Sequence, residues 1–227
     1  MYMVNNFLLR LFASQCCICG GDSAESICSP CASELPWTDT ACTQCGLSLS
    51  APGLCGQCLI EPPPFTRCIS AFEYRAPVSH LIGAFKYQRR LVYGRALSAL
   101  LAARLHTEPE LAADIIVPVP LHWRRRWTRG FNQAEVIADE LAHRLRIPLH
   151  AKALLRLKQH TPQQQLTAVQ RRRNLRSGFA IRGDVRGRHV ALVDDVVTTG
   201  ATAAEIARTL LDAGAAAVQV WCLARTP

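Results

Sequence analysis

The segment Val190-Ala-Leu-Val-Asp-Asp-Val-Val-Thr-Thr-Gly-Ala-Thr202 restricts the fold more than any other part of this chain. Val190 to Val193 is a short aliphatic run suited to a buried parallel strand, and Ala203 to Leu211 follows with strong helix formers. The turn between them is expected at the carboxyl end of a strand, where open α/β sheets bind ligands. A helix amino terminus offers unpaired N–H groups and partial positive charge, so Thr198, Thr199, Gly200, Ala201 and Thr202 suit a phosphate. Gly200 admits close backbone approach, and the threonines add hydroxyl donors. Asp194 and Asp195 repel a phosphate but accept hydrogen bonds from a sugar diol. A phosphorylated sugar satisfies both halves. A plain helix cap needs one acidic or hydroxyl residue, whereas this turn supplies five.

Competing phosphate and nucleophile motifs are missing. The chain has no G-x-x-x-x-G-K-[ST] loop, no G-x-G-x-x-G after a strand and no G-x-S-x-G elbow. Nucleotide-triphosphate and hydrolase readings lose their main support.

Eight of eleven cysteines form four C-x-x-C pairs: Cys16/Cys19, Cys28/Cys31, Cys42/Cys45 and Cys55/Cys58. Two intervening residues let both sulfurs of a tight turn face one tetrahedral ion, and glycines follow Cys19 and Cys45 where a knuckle turn needs them. Two zinc sites of four cysteines each are expected. Sequential pairing closes the shorter loops, while a crossed pairing, first with third and second with fourth, stays open. A redox role for one pair is the lesser alternative. Cys17, Cys68 and Cys222 read as small buried or bystander thiols.

A chain of 227 residues has room for one ordinary domain and a small module. Glu61-Pro-Pro-Pro-Phe65 is a stiff connector, which sets the expected boundary between residues 1–61, an N-terminal helix with the cysteine module, and residues 62–227. Strands are expected at Phe72 to Tyr74, Asp114 to Val119, Leu149 to Leu155, Phe179 to Ile181, Val190 to Val193 and Ala217 to Leu223. Helices are expected within Pro77 to Leu105, interrupted at Gly83 and Gly94, and over Phe131 to Leu145. The polar stretch of about residues 156–177 reads as a loop. This alternation predicts an α/β fold: a mainly parallel sheet flanked by helices. No run reaches the roughly 18 apolar residues of a membrane span. Arg10 interrupts the apolar start and Gln15 precedes Cys16, which argues against a secretory or lipoprotein leader and for a cytoplasmic protein.

Asp194-Asp195-Val-Val-Thr198-Thr199-Gly200-Ala201-Thr202 resembles the phosphoribosyl pyrophosphate (PRPP) loop of type I phosphoribosyltransferases. Pro118-Val-Pro-Leu-His122, Arg129-Gly-Phe-Asn-Gln133, Thr161-Pro-Gln163, Leu166, Arg171, Asn174 and Phe179 narrow the likeness. Together with the paired cysteines they are similar to the ComF family of competence proteins, including its GntX-like members. The resemblance implies a pentosyl transfer dependent on Mg²⁺. The 5-phosphate would lie on Thr198 to Thr202, within a PRPP loop of residues 190–202, and the ribose diol on Asp194 and Asp195. Pyrophosphate would sit near Leu121 and His122, whose backbone amides are better candidates than the His122 ring. Arg129, Lys158 and Arg171 would neutralise the leaving group, the last two from a flexible loop. A variable hood, residues 66–90 with Lys86-Tyr87, would choose the acceptor. The resemblance also implies a part in DNA uptake or use of external DNA beside a helicase-like ATPase.

The net charge of +9 is unevenly placed. Sixteen Lys or Arg residues lie between Val117 and Val190 against Glu135, Asp139, Glu140 and Asp184. Residues 1–60 hold Arg10 against Asp22, Glu25, Glu34 and Asp39, and each four-cysteine zinc site adds two negative charges. A nucleic-acid contact is therefore expected on the larger domain, at Arg124, Arg126, Arg171, Arg172 and Arg173, with Trp123 and Trp127 available for stacking on single-stranded DNA. An ordinary solvated basic face with tryptophans turned inward is the alternative. Three functions stay open: a working phosphoribosyltransferase, a catalytically silent PRPP- and single-strand-binding accessory of recombination, and a PRPP-sensing regulator.

Overall fold

Runs of β-branched and aliphatic residues become four parallel strands because helices bury both of their faces. The computed structural model describes residues 15–108, 111–121, 130–157 and 178–227. The expected helix before residue 15 lies outside them. The strands are β1 (Arg67–Glu73), β2 (Ile115–Pro118), β5 (His189–Val197) and β6 (Ala217–Arg225), in the order β1-β6-β5-β2. β3 (Leu154–Arg156) and β4 (Phe179–Ile181) form a separate antiparallel pair. Two short helices, α1 (Ser29–Ser33) and α2 (Gly56–Ile60), belong to the cysteine region. The others are α3 (Val78–Tyr87), α4 (Leu91–His106), α5 (Gln133–Leu145) and α6 (Ala201–Asp212).

Strand alternation divides the core into two layers. Ala191, Val193, Trp221 and Leu223 pack with Ile82 and Phe85 of α3, Leu97 and Leu101 of α4, and Ile137 and Leu141 of α5. Val190, Leu192, Val218 and Val220 pack with Ile206, Ala207 and Leu210 of α6. The helix after β2 thus covers one face, and the helix after β5 covers the other. From β5 the chain crosses to β6. From β2 it crosses outward to residues 148–150, where Ile116 N–H donates to Pro148 O at 2.9 Å and His150 N–H to Ile116 O at 2.8 Å. Neighbouring strands whose crossovers diverge leave a crevice at their carboxyl ends, here between β5 and β2.

Four expectations change. The first strand begins at Arg67, well before the expected Phe72, and ends at Glu73, short of Tyr74. Only the ends of the expected 149–155 strand form: Leu149 bridges Ile116 in parallel, and Leu154 begins β3. The helical break falls at Gln88 to Arg90 rather than at either glycine, since Gly83 lies inside α3 and Gly94 inside α4. Gly94 is there for contact: a Cβ on it would lie 2.5 Å from the Phe85 ring, which in turn packs in a tilted arrangement against Phe131 with centroids 5.5 Å apart. Acidic residues also continue a strand, because β5 runs four residues past Val193 and carries Asp194 and Asp195 within it.

The two glycines give opposite expectations. Gly94→Ala drives a methyl group into a fully buried ring and should cost about 1–3 kcal/mol, even though alanine favours helix. Gly83 has nothing within 4 Å of its would-be Cβ, so Gly83→Ala should be neutral or slightly stabilising. Urea denaturation midpoints of the two variants measure the contrast.

Candidate functional site

At the carboxyl edge of the sheet, Asp194 is in register with Cys222 of β6, and Val197 with Arg225. Successive strand residues face opposite ways. Asp195 lies toward α3, where Lys86 Nζ approaches its Oδ1 at 2.8 Å. Both side chains are largely buried, 13% and 14% exposed. Asp194 lies toward the layer that holds Cys68 and Cys222, and its Oδ1 accepts the Asp195 N–H at 2.8 Å. The Cys222 thiol is pushed well up, first by its hydrogen bond with Cys68, then by burial and nearby negative charge. It behaves as a neutral core residue.

Beyond Val197 the chain turns through exposed Thr198 and Thr199 to Gly200, whose φ of 79° caps α6. That left-handed conformation is one a Cβ would penalise. The Ala201 N–H donates to Thr199 Oγ1 at 3.3 Å. Arg225, 7% exposed, holds this turn from beneath. Its guanidinium donates to the carbonyls of Val197, at 3.3 Å, and of Thr198. In a trans peptide the N–H points away from the C=O. Arg225 therefore directs the N–H groups of Thr198 and Thr199 to the side opposite itself. Nothing in the motif announces this residue. The available signal is a lone arginine closing a strand that is apolar apart from Gln219.

On the side of the second cysteine region, the same guanidinium donates through Nε to the Cys45 carbonyl at 3.2 Å. A cavity of about 230 Å³ separates this region from the start of α6, lined by Gln57, Pro63, Phe65, Gly200, Ala204 and Arg208 among others. On the β2 side, Val119 N–H donates to Val193 O at 2.8 Å and carries the chain to Pro120 and Leu121. Asn132 ties the start of α5 to that turn: its side-chain oxygen accepts the Ala134 N–H at 3.1 Å, and its amide donates to Val119 O at 3.0 Å. Of the expected residues, Asp194, Asp195, Leu121 and Thr198 to Thr202 all lie at this edge of the sheet. His122, Arg124, Arg126, Arg129, Lys158, Arg171, Arg172 and Arg173 lie outside the described residues.

The cysteine pairs gather sequentially. Cys16, Cys19, Cys28 and Cys31 form one quartet, and Cys42, Cys45, Cys55 and Cys58 the other, with the sulfurs of each within 4.8 Å of one another. Zinc–sulfur bonds of about 2.3 Å in a tetrahedron place sulfurs about 3.8 Å apart. Cys19 and Cys28 sulfurs are 3.8 Å apart, and those of Cys45 and Cys55 are 3.6 Å apart. Gly20 and Gly46 take the left-handed knuckle conformation, with φ of 75° and 70°. Backbone amides favour thiolates: N–H groups of Cys19 and Cys28 pull the Cys16 thiol down to about 6. Burial raises Cys42, but amides of Cys45, Cys55 and Gln44 outweigh it and bring that thiol to about 6. Cys31 and Cys58 are pushed up, Cys31 first by its hydrogen bond with Cys28 and Cys58 first by burial. A soft divalent ion suits such closed thiolate quartets.

Comparison with known proteins agrees with both halves. Residues 7–59 match the double zinc ribbon domain, and residues 131–227 match the phosphoribosyl transferase domain. DNA utilization protein YhgH of Escherichia coli K12 is 45% identical over 206 residues, covering 88% of this chain and 90% of that protein. Competence protein F of Haemophilus influenzae is 34% identical over 229 residues, 96% of this chain and 100% of that protein. Competence protein ComFC of Bacillus subtilis is 26% identical, covering 85% of this chain and 81% of that protein. Parallel sheet, turn and ribbons together define a protein of the type I phosphoribosyltransferase fold with two zinc-binding sites of four cysteines each. The chain belongs to the ComF family.

The metal quartets and the buried arginine each carry a measurable expectation. Metal analysis of the purified chain should return two zinc ions, and Cys31→Ser or Cys58→Ser should each lower that to one, read by atomic emission. Arg225→Met should destabilise the chain by roughly 2–3 kcal/mol in urea, because it strips buried carbonyls of a charged donor.

Proposed function

We propose that this protein binds PRPP at the carboxyl edge of β5 and transfers its phosphoribosyl group, in a role connected with the use of external DNA. The observation that carries this reading is the single edge on which the β5 carboxylates and the amide-lined turn of α6 meet. PRPP has a phosphate at one end and a ribose diol beside its reacting carbon, and these two chemistries require the two donor sets in that order. Thr198 to Thr202 take the 5-phosphate. Asp194 and Asp195 accept from the ribose hydroxyls.

Leu121, which follows Pro120 just past the end of β2, lies on the other side of the β5–β2 crevice, and its backbone amide would meet the pyrophosphate. In the transfer, a lone pair of the acceptor forms the new bond to C1, and the C1–O electron pair leaves with pyrophosphate. Positive charge develops on the sugar and negative charge on the leaving group, so the site's task is to hold both and exclude water. The carboxylate oxygens of Asp194 and Asp195 are hard donors that would suit Mg²⁺, which would supply positive charge against the departing pyrophosphate. The DNA connection rests on the names of the relatives, which speak of DNA utilization and competence. Among the described residues no helix is long and apolar enough to cross a membrane.

Calorimetric titration of PRPP in Mg²⁺ tests the reading. Asp194→Ala/Asp195→Ala should weaken binding by roughly 100-fold, the loss of two charge-assisted acceptor sites. Unchanged affinity in the double variant would remove the diol assignment. Pyrophosphate release with a panel of bases then separates a working transferase from a silent binder.

A further inference from the structure

The end of α3 presents two cations to the crevice that the motif does not mention. Lys86 Nζ stands 2.8 Å from Asp195 Oδ1. Arg89 follows three residues later, one helical turn on, and a Cβ on Gly130 would lie 3.0 Å from its guanidinium. Gly130 leads through Phe131 to Asn132, which is bonded to Val119 at the turn after β2. Lys86 therefore marks the β5 side of the crevice and Arg89 the β2 side. Phe85, between the ring of Phe131 and Gly94 of α4, fixes the helix that carries them.

Arg89 is also in an unusual place. Gln88 caps α3, and Arg89, the next residue, has a φ of 57°. Glycine is the usual residue there, because a Cβ in that conformation is disfavoured. An arginine is retained at some conformational cost where its side chain reaches Gly130.

We propose that Lys86 and Arg89 form a clamp for the pyrophosphate of PRPP, closing over the β5–β2 crevice from the α3 side. The inference rests on the PRPP reading above and adds the residues that recognise the leaving group. In the free protein Lys86 neutralises Asp195. Once a ribose diol engages that carboxylate, the ammonium, on four rotatable bonds, is positioned to meet the phosphates arriving beside it. Arg89 supplies a planar fork suited to phosphate oxygens from the opposite wall. PRPP already carries the negative charge of its pyrophosphate when bound, and that charge grows as the C1–O bond breaks, so two cations placed there hold the ligand and stabilise its departure.

A simpler role exists for each cation: Lys86 as counter-ion of Asp195, Arg89 as a favourable charge at a helix carboxyl end. Comparing two ligands separates them. Ribose 5-phosphate carries the phosphate and diol but no pyrophosphate. A counter-ion or helix-end role shifts its affinity and that of PRPP together, whereas the clamp acts on PRPP alone.

The experiment is calorimetry on the zinc-loaded full chain at fixed Mg²⁺, with PRPP and ribose 5-phosphate against wild type, Lys86→Met, Arg89→Met and Lys86→Arg. Each methionine variant should weaken PRPP roughly tenfold or more while ribose 5-phosphate stays within about twofold, and Lys86→Arg should recover part of the loss. Retained ribose 5-phosphate binding also shows that the variants fold. Equal losses for both ligands, or no loss of PRPP affinity, would overturn the clamp and leave the PRPP reading standing. Wild type that binds neither ligand would overturn both.

Discussion

A buried guanidinium at the end of the last strand organises the functional edge of this molecule. Arg225 is charged and almost fully enclosed, and such a group is tolerated only where its desolvation is offset by well-placed acceptors. Here the acceptors are main-chain carbonyls of Cys45, Val197, Thr198 and Thr226. The first three belong to different parts of the site. Cys45 is in the knuckle of the second metal quartet, Val197 ends β5, and Thr198 opens the turn into α6. One cation thus positions a zinc knuckle and the outward-facing amides of the turn together. A lysine could match its charge but not its fork, which reaches several carbonyls at once.

This arrangement sets a gradient of charge along the sheet edge. Residues 15–60 carry Asp22, Glu25, Glu34 and Asp39 and no Lys or Arg, and each zinc-loaded quartet adds two negatives. The second quartet lies on the β6 side of the turn, and Lys86 and Arg89 lie on the α3 side. Over distances comparable with the Debye length of about 8–10 Å, such a field acts on any bound polyanion. Its most highly charged end is favoured toward α3 and disfavoured toward the ribbon. Arg208, which lines the cavity between the ribbon and α6, places one positive charge on that side as well. Under the proposed PRPP reading, the polarity of the surroundings and the order of donor groups would favour the same orientation of the ligand.

Much of this is legible in the sequence because it is local. The C-x-x-C spacing shows that the two sulfurs of each pair can share an ion, and near-continuous apolar runs at 190–193 and 217–223 announce strands buried on both faces. Sequential metal pairing, open on sequence grounds, is resolved by the quartets themselves. Features that depend on distant partners are hidden. Asp194 and Asp195 read as turn residues, yet β6 extends far enough to pair β5 through Val197. Gly94 reads as a break, although its lack of a side chain serves the Phe85 ring. The sequence places Lys86 in a hood without its carboxylate partner and gives Arg225 no motif, because the residues they contact are remote in the chain, 180 positions away for the Arg225 bond to Cys45. The basic residues expected to meet nucleic acid lie outside the described residues.

The first ribbon is built into the sheet as firmly as the second. β1 is an edge strand, and an open edge invites unwanted pairing. Pro36 to Thr38 covers it: Glu73 N–H donates to Pro36 O at 2.8 Å, Thr38 N–H to Ala71 O at 3.0 Å, and the Trp37 ring packs on Phe72 with centroids 4.6 Å apart. Ile27 and Leu35 belong to the same buried layer as Trp221 and Leu223. Removing the cysteine region would bare an apolar edge and release Arg225 from Cys45, so a truncated chain that lost ligand binding would report sheet damage and turn misplacement together. The ribbons' own contribution is separable only by substitutions at their outward surface, such as the exposed Leu59 and Ile60 of α2, which leave the edge pairing and the knuckle carbonyl in place.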